Sequence, residues 1–83
     1  MDIKLLFFGE AAELAGKSED FVSLPESVSY ENAKSTIFEK FPKLLKIEKS
    51  SILAVDQEYS SPGTVLKLTK FSEIAIIPPI SGG

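Results

Sequence analysis

Glu73-Ile74-Ala75-Ile76-Ile77-Pro78-Pro79-Ile80-Ser81-Gly82-Gly83 is a run of β-forming residues that turns into a proline pair and closes in two glycines. Proline lacks the backbone donor that a sheet ladder needs and fixes φ, so the strand stops before Pro78 and the chain continues on an extended course. At about 3.1 Å per residue in polyproline-like geometry, Pro78 to Gly83 can project on the order of 15 to 20 Å. Gly82 and Gly83 make the leading tip as narrow as a polypeptide can be. The sequence therefore reads as a folded domain over residues 1–77 and an extended tail over 78–83, suited to entering a confined space.

A strand this apolar needs neighbours. Ile3 to Phe8 alternates Ile3, Leu5 and Phe7 with Lys4, Leu6 and Phe8, and reads as a first strand. Glu10 to Ala15 are good helix formers closed by Gly16, so a helix of one to two turns follows. Lys17-Ser18-Glu19-Asp20 reads as a turn, and Phe21 to Leu24 as a short edge strand stopped by Pro25. Ser29 is a natural N-cap for the main helix from Tyr30 to about Phe41, with Ala33, Ile37, Phe38 and Phe41 on its buried face. Pro42 ends it or opens a new turn, and Lys43 to Ile47 continue as a short helical piece. Ser51 to Val55 is a buried-strand pattern, the chain turns at Asp56-Gln57-Glu58 to return through Tyr59, and Ser60-Ser61-Pro62-Gly63 is a loop. Val65 to Leu68 and Glu73 to Ile77 complete the strands.

Strands, one long helix and more strands define an α+β domain with the helix across one face of a mixed sheet, the β-grasp or ubiquitin-like pattern. If the first and last strands are central neighbours, Ile3, Leu5, Phe7, Ile74 and Ile76 meet the helix. The opposite face then carries Leu6, Phe8, Ala75 and Ile77, with Tyr59 close by. A sheet open to water on one side alternates apolar with polar, and this one does not. Either the loop between Ser60 and Val65 folds over that face, or it is a docking patch beside the root of the tail.

The chain has 83 residues, room for one domain and a modest core. Its 43% apolar and 25% charged content is that of a soluble globular protein, and a net charge of -3 with nine basic residues scattered among acids argues against a nucleic-acid partner. There is no cysteine and no histidine, which removes disulfides, thiol nucleophiles, thiolate metal sites and the commonest general base. The opening apolar run is too short for a signal peptide or a membrane span, so a soluble cytosolic protein with no membrane partner is expected. Glu10 with Glu13, and Asp56 with Glu58, are acid pairs of the kind usually found on solvated surfaces, and Gly63 lies in no phosphate-loop pattern.

The chemical handle that remains is the Gly83 carboxylate. It is ionised at neutral pH and a poor electrophile, so acyl transfer from it needs activation, most simply as a mixed anhydride with AMP. Without a thiol in the chain, any sulfur it carried would be placed on the activated carboxyl from outside, leaving a terminal thiocarboxylate.

Ile3-Lys4-Leu5-Leu6-Phe7-Phe8, Glu13-Leu14-Ala15-Gly16, Ala54-Val55-Asp56-Gln57-Glu58-Tyr59 and above all Glu73 to Gly83 resemble the small, sulfur-carrier subunit of molybdopterin synthase. The resemblance implies a β-grasp fold and no stably bound cofactor. It implies an E1-like partner that uses ATP to adenylate the terminal glycine before sulfur is installed, and a large subunit that takes in the tail within a heterotetramer of two small and two large subunits. There sulfur passes to cyclic pyranopterin monophosphate, building the dithiolene that binds molybdenum. Carried over by position, Gly83 is the thiocarboxylate, Gly82 the slender approach, Pro78, Pro79, Ile80 and Ser81 the rest of the inserted tail, and Phe8, Tyr59 and Ile77 docking residues. Thr69-Lys70-Phe71-Ser72 stands where the family often has an Asp-Gly-Asp type turn, and Asp56 where many relatives have Asn. Thiamine-pathway sulfur carriers share the two glycines but typically not the Pro-Pro. A modifier joined to lysines of other proteins and a non-covalent interaction domain are the other functions open to such an end.

Overall fold

The apolar run Glu73–Ile77 is the middle strand of the main sheet. The structure, a computed structural model, describes residues 1–78. Its strands are β1 (Asp2–Phe7), β2 (Glu19–Ser23), β3 (Ser27–Ser29), β4 (Ile52–Val55), β5 (Glu58–Tyr59), β6 (Val65–Lys67) and β7 (Glu73–Ile77). Two α-helices, α1 (Gly9–Ala15) and α2 (Tyr30–Lys40), and a 3₁₀ segment at Pro42–Ile47 complete it. The main sheet runs β2-β1-β7-β4-β5, while β3 and β6 form a separate pair. β7 runs parallel to β1, with Leu5 opposite Ile74 and Phe7 opposite Ile76, and antiparallel to β4, with Leu53 opposite Ile76. The fold is an α+β β-grasp.

Side-chain alternation explains which face is filled. Ile3, Leu5, Phe7, Leu53, Ile74 and Ile76 point to one side and are buried against Ala33, Ile37 and Phe38 of α2. Each large side chain so buried contributes about 1.5–3 kcal/mol. Phe7 and Phe41 close one end of this layer edge to face, ring centroids 5.3 Å apart. α2 begins where Ser29 accepts the Asn32 N–H at 3.1 Å, as expected of an N-cap. Phe41, read as the last helical residue, is instead the cap and is half-buried. Gly16 ends α1 in the left-handed region (φ 74°), its N–H donating to Ala12 O at 2.9 Å.

Two expectations are corrected here. Glu19 and Asp20 belong to β2, not to a turn, since they pair with Leu6 and Leu5 of β1. Their polar side chains are accommodated because β2 is an edge, where Lys4 faces Glu19 at 3.9 Å and Lys17 holds Asp20 at 2.8 Å. β3 was not expected; it forms because Ser27–Ser29 pairs with Val65–Lys67 across the end of the helix layer. The Thr69–Ser72 turn is made by side chains, with Thr69 N–H donating to Ser72 Oγ at 2.9 Å and Phe71 N–H to Thr69 Oγ1 at 3.2 Å. Ser72 is buried there and Phe71 is left exposed.

Candidate functional site at the root of the tail

β7 is paired on both sides as far as Ile76, and Ile77 still faces Ile52 of β4. Pro78 follows outside the strand. It sits against the β1–α1 corner, where Gly9 adopts φ 52° and a side-chain carbon at Gly9 would come within 3.4 Å of the Pro78 ring. Positive φ is what lets the chain turn sharply from β1 into α1 at that point. Pro79, Ile80, Ser81, Gly82 and Gly83, expected to form the rest of the tail, lie outside the described residues.

The second sheet face is open. On it, Leu6 and Phe8, Ala75 and Ile77, Ile52 and Ala54, and Tyr59 follow the register of β1, β7, β4 and β5. Tyr59 is 76% exposed, Phe8 50% and Ile52 45%, while Leu6 and Ile77 are half-buried. Leu6, Phe8, Ala54, Tyr59, Ala75 and Ile77 line one shallow depression of about 410 Å³, bordered by Gln57 and Glu73. The loop between Ser60 and Val65 does not cover this face, so that reading is corrected. It is tied instead to the start of α2, where Tyr30 N–H donates to Thr64 O at 2.9 Å and Gly63 N–H to Glu31 Oε2 at 2.7 Å. Below the apolar strip Lys4 stands between Glu19 and Glu73, 3.9 Å from each.

Phe8, Tyr59 and Ile77 therefore share one surface beside Pro78. Ile52 and Ala54 belong to it as well and were not singled out from the sequence. Their signal was present: once β4 runs antiparallel to β7, the alternation that buries Leu53 must turn Ile52 and Ala54 outward.

The acid pairs have other places. Glu10 and Glu13 are exposed on α1. Asp56 N–H donates to Glu73 O and Asp56 Oδ1 accepts from Glu73 N–H, both at 2.9 Å, so Asp56 fastens the β4–β5 turn to the start of β7. Glu58 is exposed in β5. Among the described residues no three His, Cys, Asp or Glu side chains are grouped to hold a metal ion, and no helix is long and apolar enough to cross a membrane.

Both the sequence and the fold have counterparts among known proteins. Residues 5–83 match the model of the ThiS family. The chain is 54% identical over 83 residues to the molybdopterin synthase sulfur carrier subunit of Caenorhabditis elegans, covering 100% of this chain and 99% of that one. To the Homo sapiens protein of the same name it is 35% identical over 82 residues, covering 98% and 93%. The crystal structure of SAMP1 from Haloferax volcanii superposes with a TM-score of 0.79 at 20% identity, covering 100% of both chains. A complex of subunits 1 and 2 of the molybdopterin-converting factor from Helicobacter pylori contains a chain matching at TM-score 0.67 and 18% identity, again over 100% of both. The chain belongs to the ThiS family, within its group of molybdopterin synthase sulfur carrier subunits.

Proposed function

We propose that this chain carries sulfur on the carboxyl carbon of Gly83 and delivers it inside a partner's active site. The observation that carries the reading is the placement of the C-terminal strand. β7 is central and paired on both sides, so Pro78 issues from a rigid part of the domain, beside an exposed apolar face. Membership of the sulfur carrier group supplies the cargo.

The chemistry balances as two exchanges at one carbon. A Gly83 carboxylate oxygen attacks the α-phosphorus of ATP, pyrophosphate leaves, and an acyl adenylate forms. A sulfur nucleophile then attacks that carbonyl and AMP leaves, so that one sulfur replaces one oxygen. An E1-like enzyme supplies the adenylation site, and glycine at positions 82 and 83 lets its groups approach the carbonyl from several sides. The loaded tail enters the large subunit of molybdopterin synthase, where its sulfur bonds to a carbon of cyclic pyranopterin monophosphate as a carbon–oxygen bond at that carbon breaks and the oxygen group leaves. Water then cleaves the acyl–sulfur bond and restores the carboxylate. A dithiolene holds two sulfurs and each tail brings one, so two loaded tails are consumed per product. This fits an assembly of two small and two large subunits working in the cytosol.

The docking surface is the open face around Phe8, Tyr59 and Ile77. An apolar patch rimmed by Lys4, Glu19 and Glu73 has the character of an interface, with a hydrophobic centre and a charged edge. The test is direct. Incubation with the activating enzyme, ATP and a sulfur donor should add the mass difference of sulfur for oxygen, localised to Gly83 by fragmentation. A chain lacking Gly83 should unfold at the same denaturant concentration yet acquire no sulfur. Sulfur appearing on the shortened chain would overturn the proposal. So would recovery of the native protein chiefly in isopeptide linkage to lysines of other proteins.

A further inference from the structure

The 3₁₀ segment Pro42–Ile47 is six residues long, beyond the three or four at which such runs commonly stop. Three residues per turn stack each side chain on the one three positions later, so the segment has three edges. Leu44 and Ile47 form the inner edge and are buried. Pro42 and Leu45 form a second edge that is exposed, Leu45 to 50%. Lys43 and Lys46 form the third, also exposed. With a rise of about 2.0 Å per residue they stand about 6 Å apart along the axis.

Further cations gather at one end. Lys17, Lys40 and Lys43 line a depression of about 240 Å³ with Ala15, Phe41 and Pro42. Lys17 and Lys40 approach the Phe41 ring to 5.9 and 5.6 Å from its centroid. Asp20 neutralises Lys17, and Glu48 lines a separate depression with Lys34. Among the described residues Lys40, Lys43 and Lys46 enter no ion pair. In a chain of net charge -3, this edge keeps cations that no acid of the described residues pairs. The lysines that read as scattered along the sequence are brought together by a period of three.

We propose that this strip docks an acidic amphipathic helix of a protein partner. Carboxylates four residues apart on an α-helix are separated by about 6 Å along its axis, which matches the Lys43–Lys46 spacing. Apolar side chains beside them would meet Leu45 and Pro42. A polynucleotide matches the cations equally well but sets phosphates against the apolar edge, and the acidic remainder of the chain repels it. The strip lies on the helix layer, across the sheet from Phe8, Tyr59 and Ile77, so both surfaces can be occupied at once. It is independent of any chemistry at Gly83.

The test is a titration of the isotope-labelled full chain, followed by amide chemical shifts. The first probe is a synthetic helical peptide with Glu at every fourth position and Leu beside each. Shifts should concentrate at Lys17 and Lys40 to Ile47, leaving Phe8 and Tyr59 unmoved. Raising salt from about 0.01 to 0.15 M, which shortens the screening length from about 30 to 8 Å, should weaken binding about tenfold. Charge reversal by Lys43→Glu with Lys46→Glu should abolish binding, and Leu45→Ser should weaken it several-fold, with both variants keeping the parent spectrum elsewhere. Failure of the peptide to bind, equal binding of a peptide with Lys in place of Glu, or shifts centred on the open sheet face would each overturn the proposal. Tighter binding of a thymidine oligonucleotide to the same residues would overturn it in favour of a nucleic acid.

Discussion

Asp56 shows how one side chain can be misjudged until its backbone is known. Asp56 and Gln57 both have positive φ, 50° and 72°, the conformation of a two-residue hairpin turn that Asn, Asp and Gly tolerate best. Its carboxylate also accepts the Glu73 amide. Asp56→Ala should therefore lower unfolding free energy by about 1–2 kcal/mol, from a lost hydrogen bond and left-handed strain. Asp56→Asn should be nearly neutral in the same urea titration, because the amide oxygen still accepts. From sequence, Asp56 and Glu58 could be seen only as acids two positions apart; that they part company, one to Glu73 and one to solvent, depends on a strand 17 residues further on. Phe8 and Tyr59 behave differently, because alternation alone assigns them to the outer face of the sheet. Phe8→Asp should leave stability almost unchanged and weaken large-subunit binding about tenfold or more, as for an aromatic at an interface centre, measured by calorimetry. At Asp20, the Lys17 hydrogen bond and then the Phe21 amide hold the carboxyl below its usual range. The stability this adds is present above the ordinary carboxylate value and is lost as pH falls through the depressed one. Asp20→Asn should flatten that acid limb of the pH–stability curve.

Elements with strong periodicity were legible and short polar ones were not. α2 was readable from Ser29 and the spacing of Ala33, Ile37 and Phe38, and Ser29→Ala should cost about 1 kcal/mol, seen as a lower thermal midpoint. The six-residue 3₁₀ segment is different, because Lys43 to Ile47 suits an α-turn as well as a 3₁₀ one. Residues three apart share a face in either coil, and in the tighter one adopted here Leu44 and Ile47 are both buried. Leu44→Ala should destabilise by about 2–5 kcal/mol, whereas Leu45→Ala, one position on and exposed, should change little; denaturant midpoints of the two variants test the pairing directly. β3 escaped sequence reading for a physical reason. Ser-Val-Ser has no apolar alternation to speak of, and its strand state comes from hydrogen bonding to Val65–Lys67, nearly forty residues away.

At the scale of the whole molecule the β-grasp was legible because two apolar strands at opposite ends of the chain had to find each other. Why the outer face stays open was not, since nothing local to Ser60–Thr64 says that Tyr30 and Glu31 will hold that loop on the helix side. The described core runs from Ile3 to Ile76. Removing Gly82 and Gly83 should accordingly leave the thermal midpoint within error of the parent while ending sulfur loading. The placement of β7 also sets an order of events during synthesis. β1 is made first, yet its parallel partner is made last, with Lys4 opposite Glu73. Because the central strand of the sheet is missing until then, a nascent chain held on the ribosome cannot complete its core, and contacts this far apart in sequence are slow to form. The open face near Pro78 is assembled only when β7 has joined β1 and β4, so the fold itself keeps a chain without that strand from presenting a finished dock.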